Sequence, residues 1–162
     1  MKKGFTMIEL IFVIVILGIL ASVAIPRLAG TRDDAEISAA IGNLRTLVSD
    51  ANVYYVTKGS FGATTKWQEF TSVPLVGADA TAVNSTAATA NLKVGGENCI
   101  GLYLVEKTNT APAHIVFTQP ASTGTTCTKV KEAPSVKAYL DSTLPGSTEA
   151  GKMPIGSTTK IY

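Results

Sequence analysis

The sequence contains few of the residues from which catalytic and metal sites are built. It has one histidine, His114, two cysteines, Cys99 and Cys127, and only 16% charged residues. No neighbouring acid or nucleophile completes a catalytic set around the histidine. The chain also carries no nucleophile motif, metal-ligand spacing or glycine-rich phosphate loop. The sequence therefore predicts a protein that is not an enzyme and that needs no metal and no cofactor.

Positive charge is also sparse. Lysine and arginine number 14 against 12 aspartates and glutamates, which gives a formal net charge of +2. In the C-terminal part, Lys129, Lys131 and Lys137 are too sparse to indicate the basic patch that binds nucleic acid. A nucleic-acid partner therefore stays open but has no support in the sequence.

One long apolar run stands out against this composition. It begins at Phe5 and ends at Ile25, with no charged residue after Glu9, and as a helix it would span about 31 Å, close to a bilayer core. A buried carboxylate at Glu9 is unfavourable in lipid unless a partner compensates it, so Glu9 is a candidate functional residue. Two other interpretations remain: a signal anchor with Glu9 near the membrane interface, and a secretory signal peptide cut after Ser22-Val23-Ala24.

The residues around Glu9 resemble the leader and processing site of type IV pilins and type II secretion pseudopilins, Lys2-Lys3-Gly4-Phe5-Thr6-Met7-Ile8-Glu9-Leu10. The resemblance implies that a prepilin peptidase cuts after Gly4 and that the new N-terminal Phe5 is N-methylated. It also implies that Glu9 pairs with the positively charged N-terminus of a neighbouring subunit during assembly at an inner-membrane platform. A carboxylate and an ammonium attract strongly inside a low-dielectric helix bundle.

The resemblance also implies how the chain is divided and where it is found. Residues 1–4 would be the leader, residues 5–26 the transmembrane or filament-core helix, and residues 27–162 the rest of the helix with a globular head. Lysines precede the apolar run and arginines follow it, so charge alone does not orient it. The family implies a single-pass inner-membrane protein with a cytoplasmic N-terminus. After assembly it would lie in an extracellular pilus or a periplasmic pseudopilus.

The two cysteines agree with a head domain outside the cytoplasm, where an even number is typical of a disulfide. A bond between Cys99 and Cys127 would stabilise a small domain by about 3 to 4 kcal/mol on the chain-entropy model. Two separate buried thiols are the alternative. A metal site has less support, because neither cysteine has a second thiol or a histidine at ligand spacing.

Helical periodicity continues beyond the apolar run and predicts an amphipathic helix with one face against a sheet. The stripe consists of Ile37, Ala40, Ile41, Leu44, Leu47, Val48, Ala51, Tyr54 and Tyr55. Between the two halves, Gly18 lowers helix propensity and Pro26 cannot donate to the carbonyl of Ser22. This predicts a kink or a locally melted stretch, with Thr31 able to cap a restarted helix. Filaments of the resembled family loosen this stretch on assembly, and a static proline kink is the alternative.

After residue 57 the pattern changes to loops and small polar residues. Residues 59–62 and 77–96 indicate loops with at most short helices. Trp67 and Phe70 lie at helical spacing, and we expect them to pin this region to the core.

Strand patterns occupy the C-terminal half. Residues 100–106 and 114–118 indicate adjacent antiparallel strands joined by a turn at residues 107–112. Residues 136–140 fit either a strand or a short helix, and residues 155–162 fit a final edge strand.

These elements predict an α+β fold that is pilin-like, with a long N-terminal helix packed on a small antiparallel sheet. The function that follows is that of a structural subunit, a pilin, in a type IV pilus of identical or homologous subunits. The alternatives are a type II secretion pseudopilin and a minor pilin for DNA uptake or adhesion. Some pseudopilins carry a C-terminal calcium loop, for which Asp141 and Glu149 are too few acids, and this favours the pilus.

Overall fold

A computed structural model describes residues 4–62, 65–77 and 90–156 of the chain. The chain divides into two compact units, Met1–Ala35 and Glu36–Tyr162. The first contains the apolar run, and the second contains the sheet and the hydrophobic core. The predicted α+β class is confirmed: the described residues contain a long N-terminal helix and a small antiparallel sheet.

Helix α1 covers Met7–Lys58, 52 residues in all. The helix is continuous through Gly18 and Pro26. The predicted local melting is therefore absent from the single chain, and no second helix begins at Thr31. Loosening of this stretch within a filament stays a prediction. Within the described residues, α1 is the one helix that is long and apolar enough to cross a membrane, with a mean hydropathy of 2.9 over its most apolar 18-residue window.

The predicted apolar stripe of α1 is confirmed in the second unit. Leu44, Leu47 and Ala51 are at most 1% exposed, and Ile37, Ile41, Tyr54 and Tyr55 pack against the same core. Residues such as Arg45 and Ser49 on the other face are exposed. A helix with one apolar face buried against a sheet has this pattern.

The sheet of the described residues has four antiparallel strands in the order β1-β2-β3-β4. Their bounds are β1 Ala90–Val94, β2 Glu97–Val105, β3 His114–Thr118 and β4 Lys152–Pro154. The predicted pair is confirmed as β2 and β3, with Leu104 opposite Ile115 and Leu102 opposite Phe117. Their side chains are buried on the same face of the sheet, because side chains in register across an antiparallel pair share a face.

Strand β1 corrects the prediction that residues 77–96 form a loop. It is joined to β2 by Gly95 and Gly96, whose φ angles are +60° and +84°. Two consecutive positive φ angles make the two-residue turn that suits the twist of a hairpin, and glycine adopts them without steric strain. The glycine pair between Val94 and Glu97 was therefore a hairpin pattern. Residues 78–89 of the predicted loop lie outside the described residues.

Two short helices follow β3. Helix α2 covers Thr125–Glu132 and was not predicted, while α3 covers Pro134–Leu140 and settles residues 136–140 as helix. Pro134 stands at the start of α3, where its missing N–H leaves no helical bond unmade. The final strand is β4, Lys152–Pro154, so the prediction of a strand from residue 155 is wrong at Ile155 and Gly156. Residues 157–162 lie outside the described residues.

The loop after α1 is held to the core by aromatic side chains, as predicted for Trp67 and Phe70. Trp67 is fully buried, and its ring centroid lies 5.5 Å from that of Phe70, which in turn lies 5.3 Å from Tyr54. Polar contacts add to this packing. The Thr71 hydroxyl donates to Asp50 of α1 at 2.8 Å, and the Phe61 N–H donates to Glu106 at 3.0 Å.

Cys99 of β2 and Cys127 of α2 form a disulfide, with their Cα atoms 5.5 Å apart. Both side chains are at most 1% exposed. The bond ties α2 to the central part of the sheet, and neither two separate thiols nor a metal site describes this pair.

We predict that replacing both cysteines by alanine lowers the free energy of unfolding by about 3 to 4 kcal/mol, because the open loop gains entropy in the unfolded chain. Denaturant unfolding of the chain in detergent measures the change. Reductant should lower the midpoint of the wild type and leave that of the double variant in place. Equal midpoints for wild type with and without reductant would contradict the prediction.

Candidate functional site

The N-terminal end of α1 is closed by a reciprocal pair of hydrogen bonds between Thr6 and Glu9. The Thr6 N–H and the Thr6 hydroxyl donate to the same carboxylate oxygen, Glu9 Oε2, at 2.8 and 2.6 Å. The Glu9 N–H lies 3.4 Å from the Thr6 hydroxyl, and the Thr6 carbonyl accepts from the Leu10 N–H at 3.3 Å. This is a capping box, which satisfies N–H groups that have no partner within the helix.

The capping box gives Thr6 a role that our sequence interpretation missed. The sequence interpretation took Glu9 alone as a candidate functional residue, although the spacing Thr-x-x-Glu at the start of an apolar run is the sequence pattern of such a cap. In the single chain the Glu9 side chain is held back toward Thr6 by these two bonds. Its carboxylate is therefore held at the N-terminal end of the helix.

The helix that follows Glu9 is apolar on every side. Between Leu10 and Ile25 every large apolar side chain is exposed, with Ile16 the most covered at 41%. A helix that is apolar all round is stable only when lipid or other protein covers it. This surface is therefore the part of the first unit that requires a membrane or a partner.

Two features weaken the helix within this apolar stretch. The Ser22 hydroxyl donates to the Ile19 carbonyl at 2.7 Å, a bond to the preceding turn that favours bending. Because Pro26 has no N–H, the Ser22 carbonyl also lacks its usual helical donor. Gly18 has no atom within 4 Å of where a Cβ would stand, so its presence there is not required by packing. The flexibility that we expect at Gly18 and Pro26 stays a prediction.

His114 lies in β3, as predicted, and it is buried, at 5% exposure. Its Nδ1 is 2.8 Å from the carbonyl oxygen of Pro112, to which it donates. Burial lowers the pKa of His114 because it disfavours the charged ring; the bond to Pro112 opposes this, and the Lys152 ammonium lowers the pKa further. His114 is a structural residue of the sheet.

Charged side chains elsewhere are engaged in local contacts. Lys131 donates to the Pro120 carbonyl at 3.2 Å and to the Ser122 hydroxyl at 3.1 Å. Glu149 forms an ion pair with Lys152. In the described parts of the chain, no group of three or more histidine, cysteine, aspartate or glutamate side chains could hold a metal ion.

We predict that Thr6→Val weakens the start of α1, because it removes the hydroxyl that bonds Glu9 while keeping the shape of the side chain. Loss of such a cap costs about 1 kcal/mol, which corresponds to amide exchange about fivefold faster in the first turn. Hydrogen exchange at residues 7–10 of the chain in micelles measures this. Thr6→Ser, which keeps the hydroxyl, is the matched control and should exchange like the wild type.

We also predict that the head becomes less stable as the pH falls below about 6.5, the ordinary pKa of histidine. The unfolded chain binds the proton first because the pKa of His114 is lowered in the fold, so protons favour the unfolded state in this window. Unfolding curves between about pH 5 and 7.5 measure the slope, above the range in which carboxylates titrate. His114→Gln should flatten the slope of stability against pH. An unchanged slope in that variant would show that other groups cause the pH dependence.

Comparison with known proteins finds matches for this N-terminal segment. The family model described as the prokaryotic N-terminal methylation motif matches residues 1–25. The chain is 35% identical over 63 residues to the type II secretion system core protein G of Dickeya chrysanthemi, covering 39% of this chain and 41% of that protein. It is likewise 35% identical over 63 residues to the core protein G of Aeromonas hydrophila, covering 39% and 44%.

A type IV major pilin protein of Neisseria gonorrhoeae is 41% identical over 69 residues, which cover 43% of this chain and 38% of that protein. The chain thus spans about two fifths of the length of the curated relatives that it matches. No solved structure matches it significantly. This chain thus carries the prokaryotic N-terminal methylation motif, and over its N-terminal two fifths it is similar to type II secretion core proteins G and to a type IV major pilin protein.

Proposed function

We propose that this chain is a membrane-anchored structural subunit of a helical filament, a pilin of a type IV pilus. The observation that carries the proposal is the apolar surface of α1, which is uncovered on all sides between Leu10 and Ile25 and has one carboxylate, Glu9, at its N-terminal end. Lipid covers this surface before assembly, and the same segments of neighbouring subunits cover it in the filament.

Processing begins at the bond between Gly4 and Phe5. Both residues are exposed, Phe5 at 86%, and a Cβ on Gly4 would meet no atom within 4 Å. A prepilin peptidase in the inner membrane cuts this bond and the new amino group of Phe5 is N-methylated. These steps fit the match of residues 1–25 to the methylation motif.

Assembly uses the charge of Glu9. Removal of residues 1–4 leaves a positively charged amine at Phe5, and a neighbouring subunit offers the Glu9 carboxylate. Apolar packing alone does not select one axial position, because lipid tails are as apolar as the helices. The pairing of carboxylate and ammonium at low dielectric selects one axial position, since either charge left alone is strongly unfavourable. The inner-membrane assembly platform brings the subunits to this position.

A type II secretion pseudopilin is the alternative, and the relatives named as core protein G favour it. The two functions differ in where the filament is found. A pilus subunit is recovered in filaments sheared from the cell surface, and its deletion leaves protein secretion intact. A pseudopilin stays in the cell envelope, and its deletion stops export of the secreted proteins. An adhesive or DNA-binding minor subunit has no observation in its favour among the described residues.

The first test is the intact mass and N-terminal sequence of the protein from its native envelope and surface fractions. A chain that starts at a methylated Phe5 supports the proposal. A chain that still begins at Met1, or one that begins at Ile25, would mean an ordinary anchor or a secreted domain and would remove the role of Glu9.

We predict that Glu9→Ala leaves cleavage and membrane insertion nearly intact while the filament yield collapses, because the charge partner is lost and the apolar span is kept. Glu9→Gln separates charge from capping, since its amide oxygen can still accept from Thr6. The yield should collapse in both variants. Normal filament numbers in Glu9→Gln would show that the charge is not what assembly requires.

We predict that Gly4→Val traps the uncut precursor in the membrane, because a side chain beside the scissile bond obstructs the peptidase. Immunoblots of membrane fractions separate precursor from mature chain. Gly42→Val is the matched control, since Gly42 is exposed on α1 and also has open space around it. Efficient cutting of Gly4→Val would argue against a prepilin peptidase.

A further inference from the structure

The two sulfurs of the disulfide have different polar surroundings. Ser122 Oγ lies 3.0 Å from Cys127 Sγ and donates to it. Lys131 Nζ in turn donates to Ser122 Oγ at 3.1 Å. An ammonium and a hydroxyl therefore form a short chain of donors that ends at the sulfur of Cys127.

The sulfur of Cys99 faces the opposite kind of group. It is fully buried in β2, and the carbonyl oxygen of Cys127 lies 3.5 Å from it. In the reduced pair an acceptor beside Cys99 favours its S–H form, whereas donors at Cys127 favour its thiolate. The surroundings thus favour the thiol at Cys99 and the thiolate at Cys127.

Of the other charges near Cys127, one favours its thiolate and one disfavours it. Cys127 is the third residue of α2, so the N-terminal end of that helix also favours its thiolate. The carboxylate of Glu97 opposes this, because it accepts from the Gly124 N–H at 2.9 Å at the same helix end. The asymmetry therefore depends on Ser122 and Lys131.

We infer that Cys127 is the thiolate of the reduced pair and the attacking sulfur when the bond is formed by exchange with an oxidised, disulfide-bearing partner. The Cys127 thiolate attacks one sulfur of the partner's disulfide, forms a mixed disulfide and releases the other sulfur as a thiolate. Cys99 then loses its proton to solvent, attacks the sulfur of Cys127 and releases the second partner thiolate. The two thiols of this chain are oxidised by two electrons, and the partner's disulfide is reduced to two thiols.

The donors to Cys127 are local in sequence, so they can favour its thiolate before the disulfide has formed. Ser122 and Lys131 lie five residues before and four residues after Cys127. They therefore accompany α2 when it is apart from β2, while the burial of Cys99 depends on the sheet. Once closed, the bond is protected because both sulfurs are buried.

The test is the thiol pKa of each cysteine in the full chain in detergent, measured from thiolate absorbance against pH. Cys99→Ser leaves Cys127, whose pKa should lie below the usual value of about 8.5, and Cys127→Ser leaves Cys99, whose pKa should lie above it. In the Cys99→Ser background, Ser122→Ala and Lys131→Met should each raise the pKa of Cys127. Lys129→Met, an exposed lysine of the same helix, is the matched control and should not.

A second measurement avoids substitutions that weaken the fold. The reduced wild-type chain is treated with a limiting amount of iodoacetamide near neutral pH, and the modified peptides are mapped by mass. Cys127 should be alkylated ahead of Cys99, and oxidised glutathione should form its mixed disulfide there first. Equal labelling, faster labelling of Cys99, or a Cys127 pKa unmoved by Lys131→Met would overturn the assignment.

Discussion

The structure depends on one uncovered surface, the apolar side chains of α1 between Leu10 and Ile25. Apolar area left in water is unfavourable by about 25 cal/mol per Å², so a segment exposed on all sides has no stable place in solution. Lipid removes this penalty, and so do identical helices, with little free-energy difference between the two. In the proposed filament, the polar groups at the N-terminal end of the helix therefore decide between lipid and a neighbouring helix. This is why the proposed function gives a role to the single carboxylate of a segment that is otherwise uniformly apolar.

The second unit is a small domain with few strands, and its stability has a different basis. Its core is made by the buried face of α1 from Ala40 onward, by the inner face of the sheet, by buried side chains of α2 and α3 and by the aromatic side chains of the loop after α1. A domain of this size gains limited hydrophobic stabilisation, which makes covalent and polar ties more important. The disulfide attaches α2, and Asp50 and Glu106 hold the loop.

The predictable parts of the fold were those specified by local patterns. The helical stripe and the pairing of β2 with β3 follow from the spacing of apolar residues such as Leu44, Leu47 and Ile115. Helix α2 was missed because Thr125–Glu132 has only two buried side chains, Cys127 and Val130. Two apolar positions are too few to show a helical period in the sequence. Strand β1 was missed because its glycine turn and polar neighbours were interpreted as one loop.

At the candidate site, Glu9 was predictable because an acid in an apolar run is rare, whereas Thr6 was overlooked although its spacing to Glu9 is a known cap. The unequal surroundings of the two cysteines could not be predicted, because they depend on how the loop before α2 folds back to bring Ser122 to Cys127 and Lys131. Side-chain contacts of this kind need the three-dimensional structure.

The disulfide also has a mechanical consequence. A chain pulled from its two ends transmits force along the backbone, but the stretch between Cys99 and Cys127 is bypassed by the covalent bond. With a sequence separation of 28, about 90 Å of extended chain is withheld from lengthening. Strands β2 and β3 lie almost entirely inside this closed loop. Under tension the domain can therefore yield at β1, β4 and the loop after α1, while its central pair of strands remains joined.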